Sequence, residues 1–353
     1  MPPNQAALSA LQRRVWDGRL PLEIRLAPAD CRSYAESEPY LIQYPRLSYL
    51  AFLLPRLHAF FSPKLINPDT PANEAWFEFE NVPLKWHYTT GLLYDLHSGA
   101  EPVDLGRRAH VEASQASVDV AGSLVEPPLP WKLVVHYSEF PSEQLYQLDL
   151  EGRAMRDSFV NAVKEADFIR NGSARTVMGM SKVDSDNLWT SVESRMLEQP
   201  SICLVVVVRA DVNTTDDMDL FNTINNKLLK PPGVTIRHVP IKIYLPMSAS
   251  QGTSQTIPES AAEDDDAAAA GKAGHIRVVQ SLVPLNLPSK QPQTLGTALN
   301  SVLQSIFPSR RSPLLAQPVL HGAVAPMSAN LEELGRVASS GDGFLHVAVV
   351  MMS

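Results

Sequence analysis

Cys31 and Cys203 are the two thiols of this 353-residue chain, and a thiol is the group that carries an activated acyl chain as a thioester. Cys203 lies in Ile202-Cys203-Leu204-Val205, with no histidine beside it to stabilise a thiolate, and reads as a buried, inert cysteine. Cys31 has Asp30 before it and Arg32 after it; one adjacent cation activates weakly, so it reads as a loop thiol. The histidines at 58, 87, 97, 110, 136, 238, 275, 321 and 346 show no metal-ligand spacing. Neither a Walker-type glycine loop nor a GxSxG elbow occurs. No cofactor is expected.

An amine is the other nucleophile available. Lys164 stands in Val163-Lys164-Glu165-Ala166-Asp167, inside a helix predicted from Arg153 to Arg170. Phe159 and Val163 face inward in that helix, and Lys164 lies about 140° round from Phe159, which predicts a solvent-facing side chain. Its flanks Glu165 and Asp167 offer no activation, and Asp167 at i+3 is expected to favour the ammonium form. At pH 7 an ordinary lysine, of pKa ~10.4, is neutral in about one molecule in 2,500. Such a residue is a target whose proton something else must remove. On the residues alone it is a solvated helix lysine.

Trp16, Trp86 and Trp189 are candidates for a partner groove, because aromatic side chains anchor interfaces. Core positions suit them equally well. The Arg13-Arg14 and Arg310-Arg311 pairs could touch anionic lipid, although two-residue basic clusters are usually solvated surface.

The bulk numbers bound the setting. A length of 353 residues suggests two or three domains, and 44% apolar residues suffice for real cores. A net charge of -8 and a pI near 5.6 argue against a dedicated nucleic-acid binder. Two distant cysteines form no disulfide framework, which points to a reducing compartment. The N-terminus lacks the apolar core of a signal peptide, and the runs Ile202 to Val208 and Phe344 to Met352 are too short to span a bilayer. A soluble, cytoplasmic protein is expected, with any membrane association peripheral.

The elements that must position these residues follow from periodicity. Residues 5–17 predict a short amphipathic helix with Ala7, Leu8, Leu11 and Val15 on one side and Gly18 as its stop. Leu20, Leu22, Ile24 and Leu26 alternate as a strand, and a second strand is expected at Tyr40 to Tyr44. Leu47, Leu50, Leu53, Leu54, Leu57 and Phe61 form a helical stripe, in which Pro55 kinks the helix or opens a new first turn. Glu74 to Leu96 is aromatic-rich: it alternates as strand up to Trp86, with a break near Asn81 to Pro83, then turns helical at Thr89. Leu129 to Tyr137 is a further strand.

Helices are expected next, at Arg153–Arg170, at Asp184–Leu197 with Asp184 or Ser185 as cap, and at Asp216–Leu229. Ser201–Val208 is β-rich and fits no helical unit. Beyond it come strands at Thr235–Leu245 and Ile276–Val283 and a helix at Thr294–Phe307. A short extended piece at Val319–His321, a helix at Leu331–Val337 and a strand at Phe344–Met352 complete the chain. Both ends thus read as ββαββαβ, the ubiquitin-like order of elements, with one middle strand weak in the second. The fold class is α+β, two ubiquitin-like β-grasp domains flanking a helix-rich domain. The divisions are an N-terminal helix at 1–18, a first domain at 19–141 with an insertion at 98–128, a helix-rich domain at 142–232, and a second domain at 233–353. A segment at 246–274 within the last reads as disordered from its composition.

The wording of these segments resembles the autophagy protein 5 family. VWDGRLPL (15–22), EPYLIQYPRLSYL (38–50), PLKWHY with GLLYDL (83–96), LPWKLVVHYSEFP (129–141) and VKEAD (163–167) stand in family order. VPIKIY (239–244), TLGTALNSV (294–302), VLHGAVAPM (319–327) and GFLHVAVV (343–350) continue it. The segments 98–128, 199–213 and 246–274 depart from the compact members. The resemblance implies a non-enzymatic autophagy scaffold. Lys164 matches the family's acceptor lysine, joined by an isopeptide bond to the ubiquitin-like autophagy protein 12. It further implies binding of the N-terminal helix of autophagy protein 16, dealings with the E2-like autophagy proteins 10 and 3, and peripheral attachment at the preautophagosomal membrane. The conjugate would promote lipidation of autophagy protein 8 with phosphatidylethanolamine. Two other readings are an E2-like enzyme forming a thioester on Cys203 and a ubiquitin-like adaptor that is never modified.

Overall fold

The computed structural model describes residues 5–33, 37–99, 129–193, 214–229, 236–246 and 276–352. Cys203, the β-rich stretch Ser201–Val208, nearly all of the 98–128 segment and residues 247–275 lie outside them.

Helix α1 (Gln5–Asp17) opens the chain. Its inward face differs from the one expected: Ala7 and Leu11 are exposed, while Leu8 packs on the second core and Trp16 is buried at the far end. The helix is held by two different neighbours, which rotates its covered face along its length. Two strands follow, β1 (Arg19–Leu26) and β2 (Tyr40–Pro45), then α2 (Leu54–Phe61), β3 (Trp76–Phe79), β4 (Val82–Pro83), α3 (Thr90–His97) and β5 (Trp131–His136). The sheet order is β2-β1-β5-β3-β4, with β1 parallel to β5 and Ile24 opposite Leu133. That is the ubiquitin-like arrangement expected. Leu20, Leu22, Ile24 and Leu26 all point inward, onto Leu54, Leu57 and Phe61 of α2. Pro55 stands in the first turn of α2, where its missing N–H costs nothing. A strand as far as Trp86 is not formed. The chain reverses at Glu80-Asn81, both at positive φ, β4 ends at Pro83, and Trp86 lies in a turn with its indole N–H donated to Tyr146 O at 2.8 Å.

The helical unit contains α4 (Arg153–Asn171), α5 (Arg175–Met178), α6 (Lys182–Glu193) and α7 (Thr214–Leu229). Asp149 receives the N–H groups of Arg153 and Ala154 and so caps α4, and Gly172, at φ +75°, closes it. Helix α6 starts two residues before the expected Asp184, because Ser181 Oγ caps the Asp184 N–H. This unit has no core of its own. Trp189 packs edge-on against Phe52 and tilted against Phe159, and Trp16 lies on Phe221, so helices and first sheet share one apolar cluster.

The second sheet has its own core. Its elements are β6 (His238–Val239), β7 (Ile241–Pro246), β8 (Ile276–Gln280), β9 (Val283–Pro284) and α8 (Leu295–Val302), followed by β10 (Ala316–Leu320), β11 (Ala323–Val324), α9 (Leu331–Val337) and β12 (Leu345–Met351). The order β11-β10-β12-β7-β8, with β7 parallel to β12, repeats the first sheet. The continuous strands expected at 235–245 and 276–283 are each broken, and β6 pairs with β9 outside the main sheet. Pro240 cannot donate to a ladder and marks the first break. The helix expected to run to Phe307 ends at Val302, after which the chain turns so that Asn300 Nδ2 donates to Phe307 O at 2.8 Å and Phe307 is buried. Thr294 and Thr297 form the capping box that starts it. Among the described residues no helix is long and apolar enough to cross a membrane.

Candidate functional site

Lys164 lies in the middle of α4, on the side away from Met155, Phe159 and Val163, and is partly exposed. Both neighbouring carboxylates are turned from it. Asp167, expected to hold the ammonium at i+3, is instead fully buried and accepts from Asn171 Nδ2 at 2.6 Å and from Val177 N at 3.1 Å. A buried carboxylate needs such donors, and the local ones win over a solvated ammonium. Glu165 reaches the second sheet, with Oε2 3.0 Å from Lys242 Nζ and Oε1 accepting from Gln280 Nε2 at 2.9 Å. Among the described residues no hydrogen bond or ion pair reaches Lys164. One turn on, Phe168 is 57% exposed and gives the lysine an apolar shoulder.

Round the helix from Lys164, on the side of Met155, Phe159 and Glu165, is a cleft of about 440 Å³ where the three units meet. Trp86 and Tyr88 line it from the turn between β4 and α3, Phe159 and Glu165 from α4, and Tyr244 and His346 from the second sheet. Tyr88 meets Tyr244 edge to face at 5.4 Å. Behind them Asp342 Oδ2 lies 3.0 Å from His346 Nε2, and His346 Nδ1 lies 2.8 Å from the Tyr244 hydroxyl. Burial pushes Asp342 up, but His346, the Phe344 N–H and Lys242 outweigh it and hold the carboxyl below its ordinary range. Burial also drives Tyr244 far upward, so its hydroxyl stays protonated, and it lowers His87 to about 4 with help from Lys85 and Lys242. A Tyr-His-Asp chain can shuttle protons, but Tyr244 is almost fully buried and offers no accessible oxygen. The network is a polar pin between β7 and β12.

The three tryptophans are not brought together. Trp16 and Trp189 are core rings, so neither is available to a groove; Trp86 alone lines the cleft. Cys31 is half-buried, its backbone bridged to Leu65. Arg13, Arg14, Arg310 and Arg311 are all exposed, with Arg13 3.6 Å from Asp17 and Arg310 Nε donating to Asn300 Oδ1. Among the described residues no cluster of three His, Cys, Asp or Glu side chains could hold a metal ion. Sequence reasoning missed the Glu165–Lys242–Gln280 grip and the Asp342–His346 pair. Glu165 meets Lys242 and Gln280 from 77 and 115 positions away, which no local spacing signals, whereas Asp342 and His346 stand four residues apart in a stretch that forms no helix, so their spacing alone does not announce the pair.

Comparison with known proteins agrees with this architecture. Residues 15–137 match the family described as autophagy protein ATG5, UblA domain; residues 152–199 match its alpha-helical bundle region, and residues 238–349 its UblB domain. The chain is 46% identical to autophagy protein 5 of Aspergillus terreus over 362 residues, covering 99% of both chains. It is also 46% identical to autophagy protein 5 of Phaeosphaeria nodorum over 351 residues, again covering 99% of each. The crystal structure of Kluyveromyces marxianus Atg5 has the same fold, with a TM-score of 0.65 at 19% identity, covering 96% of this chain and 99% of that one.

Proposed function

The chain belongs to the autophagy protein 5 family, and from that premise we propose that it is the acceptor and scaffold half of an E3-like conjugate. Lys164 receives the C-terminal glycine of autophagy protein 12 from the E2-like autophagy protein 10. The product binds the N-terminal helix of autophagy protein 16 and promotes transfer of autophagy protein 8 from autophagy protein 3 to phosphatidylethanolamine. Its place of action is cytoplasmic, peripheral at the preautophagosomal membrane.

The observation that carries this reading is the presentation of Lys164: partly exposed, unpaired among the described residues, on a helix whose other faces are packed. In the transfer, the neutral amine attacks the thioester carbonyl of the carrier-bound modifier. A C–N bond forms, the C–S bond breaks, the carrier leaves as thiolate, and the amine proton passes to solvent or to the carrier. The chain supplies a placed nucleophile, and the carrier supplies the activated acyl group.

Lys164→Arg tests the reading. It keeps the charge at a partly exposed site, so the fold is retained while the adduct is lost. Mass spectrometry of the branched peptide identifies the acceptor, and normal adduct yield in the variant would assign it to another lysine. An adduct cleaved by thiol would instead favour a thioester on a cysteine.

A further inference from the structure

Glu165 follows Lys164 along α4, yet its carboxylate belongs to the second sheet. Lys242 on β7 holds one oxygen at 3.0 Å, and Gln280 at the end of β8 holds the other at 2.9 Å. The Lys242 ammonium is itself fixed, 4.0 Å from the centre of the Phe344 ring. Phe344 packs in turn on Ala166 and Ile169 of the same helix. A second grip lies beyond it, where Arg170 Nη2 donates to Gly343 O at 3.0 Å and Arg237 N donates to Arg170 O at 2.7 Å. The helix that carries the acceptor is therefore pinned by the second ubiquitin-like domain over the residues that directly follow Lys164, from Glu165 to Arg170.

We propose that Lys242 and Gln280 are positioning residues for modification of Lys164: by holding both oxygens of Glu165 they keep the neighbouring carboxylate off the ammonium and fix the helix that presents the amine. This rests on Lys164 being the acceptor. Adjacent helix residues project about 100° apart, so a released Glu165 would not bridge directly to Lys164. Both side chains are long, however, and a free carboxylate within several ångströms favours the ammonium, which cannot attack. Of the other charges near this face, Asp157 lies about 10 Å down the helix, and Asp167 is buried on Asn171 and Val177. Glu165 is the carboxylate that must be kept occupied.

Single-turnover transfer from thioester-loaded carrier to the full-length chain tests this, read as a maximal rate and a half-saturating concentration. K242M is expected to slow the maximal rate about threefold, the size of one exposed charge interaction, with half-saturation unchanged. Q280L is expected to move it the same way by less. E165Q, which keeps an acceptor but no charge, stays within about twofold of the parent. The double variant K242M/E165Q is expected to recover the parent rate, which a purely structural grip would not allow. A parent-like rate in K242M, or a double variant no faster than K242M, overturns the proposal. If K242M fails to fold, Q280L alone and with E165Q decides in the same way. K164R run in parallel separates the two readings. Loss of adduct there with a parent-like K242M removes only the positioning role, whereas a normal adduct removes the acceptor reading and this proposal with it.

Discussion

Arg46 and Asp95 form a buried ion pair inside the joint between the two ubiquitin-like domains. Arg46 also donates to Gly91 O at 3.2 Å, and the second oxygen of Asp95 accepts the N–H of Gly322, from the other sheet, at 2.9 Å. Burial pushes the Asp95 carboxyl up, against the pull of Arg46 and of the Gly322 N–H. Two glycines make room for the guanidinium: a Cβ on Gly91 would come within 2.8 Å of Arg46 Cβ, and Gly322 stands at φ +83° with Arg46 3.2 Å from where its Cβ would be. One carboxylate thus joins the two sheets.

Asp95→Ala leaves the guanidinium buried without its counter-charge and is expected to cost about 3–5 kcal/mol. Calorimetry should show a clear drop in melting temperature. Replacing both partners, as Arg46→Met with Asp95→Leu, should recover most of the loss, because the pair carries its own desolvation penalty. A double variant no more stable than Asp95→Ala would mean that the hydrogen bond to Gly322 carries the joint.

His321 predicts the pH response. It is lowered to about 4, chiefly by burial, and its Nε2 lies 2.7 Å from Ala338 O. A folded value below the ordinary 6.5 means that the unfolded chain binds more protons between the two values, so stability is full above about 6.5 and declines as pH falls toward 4. His87 and His97, each lowered to about 4 mainly by burial, act in the same direction. Between pH 7 and pH 5, His321 alone should account for about 1–2 kcal/mol. Denaturant melts at the two pH values measure it, and His321→Gln should flatten the difference.

Gly296→Ala should disable the second domain. Its Cβ would collide with Arg310 O and come within 2.9 Å of Met327 O, both main-chain atoms that cannot rotate away. About 3 kcal/mol of destabilisation is expected. Loss of the second domain's amide protection in hydrogen exchange, with the first domain retained, would locate the damage.

Cys31→Ser with Cys203→Ala should leave lipidation of autophagy protein 8 close to the parent rate in a liposome reconstitution. Cys31 is half-buried and bridged through its backbone to Leu65, and Cys203 has apolar neighbours in sequence. Collapse of lipidation with intact circular dichroism and intact adduct would show that a thiol of this chain does chemistry.

The sequence by itself determined the two ββαββαβ orders and the inward faces of β1 and α4, because burial on one face writes its period into neighbouring residues. Leu20 to Leu26 and Met155 to Ile169 carry that period openly. The proposed role of Lys164 as acceptor rests on wording alone, since nothing local sets it apart from a solvated lysine. Only the tertiary structure decided the rest. Pro240 divides one apparent strand into two sheets' worth of pairing, Trp16 and Trp189 prove to be core rings, and Asp167 turns inward to Asn171 and Val177. Glu165 finds partners 77 and 115 positions away, and Asp95 one 227 positions away. Charges and hydrogen-bonding groups leave no periodic trace: which donor a carboxylate meets depends on where packing of the apolar faces brings distant strands, and that is settled only when the chain has folded.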